Sequence, residues 1–262
     1  NKEFEITVME KKPLILITND DGINAPGLRK LISVVKHLGE IIVIASEGTM
    51  SGMGHAVTIE SPIRLKQLVD EPDYREYVSS GTPVDNVKLG KHKLTNRKPD
   101  VVLSGINHGS NASINIIYSG TMGAALEAAI DNVPAIGFSL LDYSHDAEFS
   151  HVDDTILSIT KDVLANGLPD NVCLNVNIPK KSDKPIKGIK VCKQADARWV
   201  EEFEERKDPF GRTYYWLAGH FENGDARHGT DEKALADNYV SVVPSQTDFT
   251  SHNHVNNHKF NF

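Results

Sequence analysis

Leu14-Ile15-Leu16-Ile17-Thr18, followed at once by Asn19-Asp20-Asp21-Gly22, is the stretch that decides how this chain is read. An apolar run this short and uninterrupted fits a strand covered on both faces. The residues after it are of the opposite kind, two adjacent carboxylates at the end of a buried-type strand. Like charges this close disfavour joint ionisation, and a divalent cation removes that penalty. Gly22 lets the backbone turn sharply behind the pair. The tetrapeptide also fits an Asp-rich turn that binds nothing, because Asn, Asp and Gly are turn formers.

Outward from this point, strand-like and helix-like segments alternate. Pro26 suits the first turn of a helix running to about Leu38, with Gly39 as its stop. Ile41 to Ala45 reads as the next strand, and Thr82-Pro83-Val84-Asp85 as a capped helix start. Val101 to Leu103 is a third apolar run, and Gly120 to Asp131 a helix of small residues that Pro134 ends. Ala135 to Phe138, a helix from about Asp153 to Asn166, and Val172 to Val176 continue the alternation. The pattern predicts an α/β sandwich around a largely parallel sheet.

The pattern changes after about residue 185. Trp199 to Leu217 mixes aromatic and charged residues around a Pro209-Phe210-Gly211 turn, which predicts a projecting hairpin. Aromatic enrichment of this kind marks association surfaces, although such rings also cover the edge of a core. The expected division is a catalytic core over residues 13–195 and an oligomerisation arm over 196–262.

The chain has 262 residues, enough to bury a large core without disulfide staples. A formal net charge of −8 argues against a nonspecific nucleic-acid binder. Cys173 and Cys192 are its only cysteines and read as buried thiols in a reducing compartment. No apolar stretch approaches the length of a membrane span, and Asn1-Lys2-Glu3-Phe4-Glu5 lacks the apolar region of a signal peptide. A cytoplasmic protein is the expectation. The segment Ser251 to His258 is polar and His-rich, but chain ends fray and the carboxylate pair is the better metal centre.

In open α/β sheets, ligands gather at the carboxyl ends of strands. The second strand leads toward Ser51-Gly52-Met53-Gly54-His55, and the third run into Ser104-Gly105-Ile106-Asn107-His108-Gly109-Ser110-Asn111. Each is also readable as an ordinary polar loop. Together they bring oxygen donors from Asp20, Asp21, Ser51 and Asn107 toward one hard cation. Carboxylate, hydroxyl and amide oxygens suit Mg²⁺, Mn²⁺ or Ca²⁺ better than zinc. Ser119-Gly120-Thr121, at a helix start, suits an anion or serves as a plain helix cap. His55 and His108 lie within these loops as candidate acids toward a leaving oxygen.

These pieces, with Gly81 to Asp85, Tyr118 to Thr121, Asp208 to Trp216 and Tyr239 to Pro244, resemble the survival protein SurE family of metal-dependent nucleotidases. The resemblance runs in order from about Pro13 to Thr250. It implies a Rossmann-like α/β/α core with a C-terminal arm exchanged between subunits of a homodimer or homotetramer. It implies hydrolysis of nucleoside 5′-monophosphates, with 3′-monophosphates and short polyphosphates as further substrates. One divalent metal per subunit, held by Asp20, Asp21, Ser51 and Asn107, would activate the attacking water. Asp20, Asp21 and Asn107 are then the expected catalytic residues. Asn19, Gly54, His55, Asn107, Ser119, Gly120 and Thr121 are those expected around the phosphate. The chain departs from the family at Met50 and His108, positions often basic. A phosphatase forming an aspartyl-phosphate and a non-enzymatic nucleotide-binding module are the alternatives.

Overall fold

The structure, a computed structural model, describes residues 11 to 257 except His145 and Ala226. The amino-terminal pentapeptide and His258, both read above, lie outside those residues. Leu14–Thr18 forms β1, buried at every position. Its side chains alternate, Ile15 and Ile17 entering one core layer and Leu14 and Leu16 the other, as the period of two requires. Helix α1 (Pro26–Val35) starts on its proline and stops about one turn before the expected Leu38. There the Leu38 amide reaches back three residues to the Val35 carbonyl in a tight turn.

β2 (Glu40–Ser46) lies parallel to β1. The chain then forms an antiparallel pair that the apolar pattern does not reveal, β3 (Leu65–Glu71) and β4 (Tyr74–Ser79). β3 is an exposed edge strand, so nothing forces its sequence to alternate. α2 (Pro83–Leu89) opens with the expected cap. Thr82 accepts from the Asp85 amide while the Asp85 carboxylate accepts from the Thr82 amide.

β5 (Val101–His108) takes the other side of β1. A single turn, α3 (Asn115–Tyr118), leads into α4 (Gly120–Ile130), whose small residues are nearly all buried. β6 (Ala135–Leu140), α5 (Asp153–Asn166) and β7 (Val172–Ile178) follow as expected. Cys173 sits unpaired in β7, where burial pushes its thiol up to about 12.

After the short β8 (Ile189–Val191), β9 (Ala197–Lys207) and β10 (Thr213–Asn223) form a separate two-stranded hairpin. The expected turn joins them, with the Gly211 amide on the Asp208 carbonyl. α6 (Asp231–Ala236), β11 (Val240–Gln246) and α7 (His252–Asn257) complete the chain. β11 returns to the main sheet between β7 and β8, so the residues beyond 196 are not all outside the core.

The sheet order is β3-β4-β2-β1-β5-β6-β7-β11-β8, with β2, β4, β5, β6 and β7 all parallel to β1. α1 and α5 cover one face and α2 and α4 the other. The winding direction reverses between β1 and β5, which places a crevice at their carboxyl ends. α1 approaches β5 so closely that a methyl on Gly27 would stand 2.0 Å from the Ile106 carbonyl oxygen. Gly27→Ala should therefore cost about 1–3 kcal/mol and lower the thermal midpoint by several degrees. An unchanged melting curve would contradict this packing.

Candidate active site

The reversal point brings the three strand ends singled out by the sequence to one place. Asp20, Ser51, Asn107, His108 and Ser119 line a single cavity of about 560 Å³, a volume in the range of small-molecule sites. Asp21 adjoins it, its carboxylate accepting from the His108 amide at 3.2 Å. Two details of β5 set Asn107. The β5–β6 register slips between Ser104 and Asn107, as at many functional sites. The Asn107 amide nitrogen donates to the Gly109 carbonyl at 2.9 Å, which leaves its oxygen to face a ligand.

Asp20 is 3% exposed. Thr121 donates its hydroxyl to one Asp20 oxygen at 2.5 Å, and the Thr121 amide also favours the ionised form. Burial, and after it the charge of Asp21, nevertheless pushes the Asp20 carboxyl up to about 6. Burial raises Asp21 as well, against the lowering effect of the His108 amide. Gly120 passes close by, and a methyl there would sit 3.0 Å from the Asp20 Cβ. The Met50 amide donates to the Asp20 backbone carbonyl at 2.7 Å, which fixes Ser51 beside the pair.

A buried carboxylate and a half-buried one, both raised by burial, with amide and hydroxyl oxygens beside them are a set suited to a hard divalent cation. Among the described residues no three His, Cys, Asp or Glu side chains cluster as a metal site.

The other expected phosphate residues are placed differently. Asn19 is fully buried, with its amide nitrogen on the Gly22 carbonyl, so it shapes the turn. The Gly54 amide is taken by the Tyr118 carbonyl at 3.0 Å. His55 turns toward Glu127, 3.0 Å away, and lines a different cavity. Glu127 also accepts from Lys88 at 2.5 Å, so His55 ties the loop to α4 and α2. Thr121 is buried on Asp20, and the Ser119 hydroxyl caps α4 by accepting from the Met122 amide.

A buried polar ladder behind the site was not anticipated. Asn177 accepts from the Asn111 amide, Asn175 donates to the Asn111 carbonyl, and the Asn111 side chain donates to Ser139. The asparagines inside the otherwise apolar Val172–Ile178 strand are the signal that could have revealed it. Asp231, also buried, accepts from the Ser113 and Ala195 amides and fastens the hairpin root to the same loop.

A doubly wound α/β sheet with an acid and amide cluster at its reversal point defines the class of this protein. Residues 15–201 match the family described as Survival protein SurE. The 5′-nucleotidase SurE of Christiangramia forsetii is 57% identical over 248 residues, covering 94% of this chain and 95% of that protein. The 5′-nucleotidase SurE of Cytophaga hutchinsonii is 56% identical over 242 residues, 92% of this chain and 93% of the other. Among solved structures, the SurE protein from Aquifex aeolicus matches with a TM-score of 0.80 at 38% identity, covering 94% of this chain and 98% of that one. The chain belongs to the SurE family.

The raised Asp20 carboxyl has a consequence for stability. Unfolded, it ionises near its ordinary 3.8, whereas in the fold it ionises near 6. The metal-free fold is thus penalised as pH rises between these values, and the full penalty applies above about 6. In EDTA at pH 7, Asp20→Asn should be the more stable protein, by on the order of 2–3 kcal/mol, and the difference should shrink toward pH 4. Thermal melts across this range decide it; a variant less stable at pH 7 would refute the penalty.

Proposed function

We propose that this protein hydrolyses nucleoside 5′-monophosphates to nucleoside and phosphate, using a divalent cation held by Asp20, Asp21, Ser51 and Asn107. Family membership supports the broader class, a nucleotidase acting on phosphomonoesters. The observation that carries the finer reading is the meeting of Asp20, Ser51, Asn107 and Ser119 in one cavity. Mg²⁺ or Mn²⁺ suits this oxygen set best, and Ca²⁺ also fits it. Bound there, the cation would offset phosphate charge and acidify water.

The chain's own groups do the rest. Asp20 and Asp21 supply the negative charge, and Thr121 keeps Asp20 in place. Ser119 and the start of α4 present the positive end of an eleven-residue helix to the phosphate. The Met50 amide and the His55–Glu127 contact hold the Ser51 loop at both ends. Nucleoside 3′-monophosphates carry the same single phosphate and fall within the proposal. Short polyphosphates, whose terminal phosphate would meet the same site, fall within it too.

The test is phosphate release from AMP and GMP with and without EDTA. Activity should depend on added Mg²⁺ or Mn²⁺. Asp20→Asn and Asp21→Asn should each lower kcat/KM by about a hundredfold or more, the scale of losing a charge that stabilises the transition state. Near-native turnover by both variants at saturating metal would sink the assignment. Acid quench should trap no phosphoenzyme; a trapped one would favour an aspartyl-phosphate mechanism.

We also infer that the hairpin joins subunits into a homodimer or homotetramer. By its register, Phe203, Tyr215 and Leu217 share one face, and all three are more than half exposed, as is Phe210 at the turn. A contiguous apolar surface of this kind marks an interface. Replacing Phe203, Phe210 and Tyr215 with serine should give a folded monomer by light scattering; an unchanged oligomer would rule the hairpin out. No helix among the described residues is long and apolar enough to cross a membrane, and the unpaired cysteines suit the cytoplasm.

A further inference from the structure

A phosphate fills only a fraction of the cavity, and part of its lining is aromatic. Tyr143 and Trp199 both line it. Each ring is anchored by its polar atom and keeps exposed surface. The Tyr143 hydroxyl accepts from the Ser110 amide at 3.1 Å, and the ring lies over Gly109, where a methyl would collide with it at 2.2 Å. Tyr143 is still 73% exposed. The Trp199 indole N–H donates to Asn115 at 2.7 Å, and Phe221 meets the ring edge-on at 5.6 Å. Trp199 is 42% exposed.

Rings pinned at the polar end and open on the apolar surface are preorganised for stacking, since the rotamer entropy is already lost before a ligand arrives. The two are tethered to one segment, residues 110–115, which follows directly from Asn107 on β5. Opposite Glu201, beside Trp199 on the same hairpin face, stands Gly219. It also lines the cavity and adds no side-chain bulk.

We propose that Tyr143 and Trp199 form a stacking platform for the substrate's nucleobase, selecting nucleoside monophosphates over other phosphomonoesters without selecting among bases. This rests on the nucleotidase reading above. Stacking is tolerant of base identity because every base has a π face. The platform is a binding element and takes no part in bond breaking, so its loss should appear in KM and not in kcat.

The experiment compares AMP, GMP and CMP with ribose 5-phosphate, which carries the sugar and phosphate without the base. Tyr143→Ala and Trp199→Ala should each lower the ratio of kcat/KM for AMP to kcat/KM for ribose 5-phosphate by about tenfold or more, through KM, and to a similar degree for all three nucleotides. Tyr143→Phe and Trp199→Phe keep a ring and should recover most of the ratio. Equal losses on ribose 5-phosphate and AMP, or an unchanged ratio, would overturn the platform. If the unmodified protein released no phosphate from any nucleotide, the nucleotidase reading would fail instead. Calorimetric titration with adenosine judges the platform independently of hydrolysis. Binding by the unmodified protein that weakens about tenfold in Tyr143→Ala supports it, and equal or absent binding in both refutes it.

Discussion

The Asp20 carboxylate, taken almost wholly out of water and tied to the Thr121 hydroxyl, is the constraint from which the site follows. A buried charge met only by the neutral hydroxyl and amide of Thr121 is costly, and a second carboxylate next to it adds to the cost. The surroundings answer that cost from three directions. The first turn of α4 donates to Asp20, the backbone carbonyl of Asp20 fixes the loop carrying Ser51, and β5 delivers Asn107 alongside. One residue thereby couples the end of β1, the loop after β2, and a helix far along the chain.

Around this centre the loops are held by groups whose polar atoms are spent on other parts of the protein. Glu127, inside the layer of α4 and α2, gathers His55 and Lys88, and Gly123 permits the Gly54 carbonyl to come within methyl-excluding distance of α4. On the other side, the asparagine ladder of Asn111, Asn175 and Asn177 stiffens the loop after β5. Such satisfied networks are rigid because breaking any member leaves a buried polar group unpaired. The division of labour is clear: one set of polar residues faces the cavity, and another, fully spent on the protein, aims the first.

Much of this was legible in the chain. β1 declared itself by an apolar run, the carboxylate pair at its end by its unlikely position, α2 by Thr82 and Asp85, and the hairpin turn by Pro209-Phe210-Gly211. Elements that obey local rules were found. β3 was missed because an exposed edge strand carries no burial signature, and the return of β11 to the sheet is a question of topology that periodicity does not encode. Gly54, His55 and Asn19 share a motif with cavity residues, yet their hydrogen bonds go elsewhere. Sequence proximity placed them in the right neighbourhood, but orientation depends on partners such as Tyr118 and Glu127, distant along the chain.

The hairpin brings in a matter of reach. Its strands are eleven residues each and pair without a break from Ala197 opposite Asn223 to Lys207 opposite Thr213. Such a ribbon spans roughly 35 Å, whereas a compact chain of this length has a radius of gyration of about 18 Å. Its root forms a wall of the cavity while its tip, with Phe210 at 83% exposure, stands where no part of the same core covers it. Whatever covered that tip would grip the far end of a lever whose near end carries Trp199.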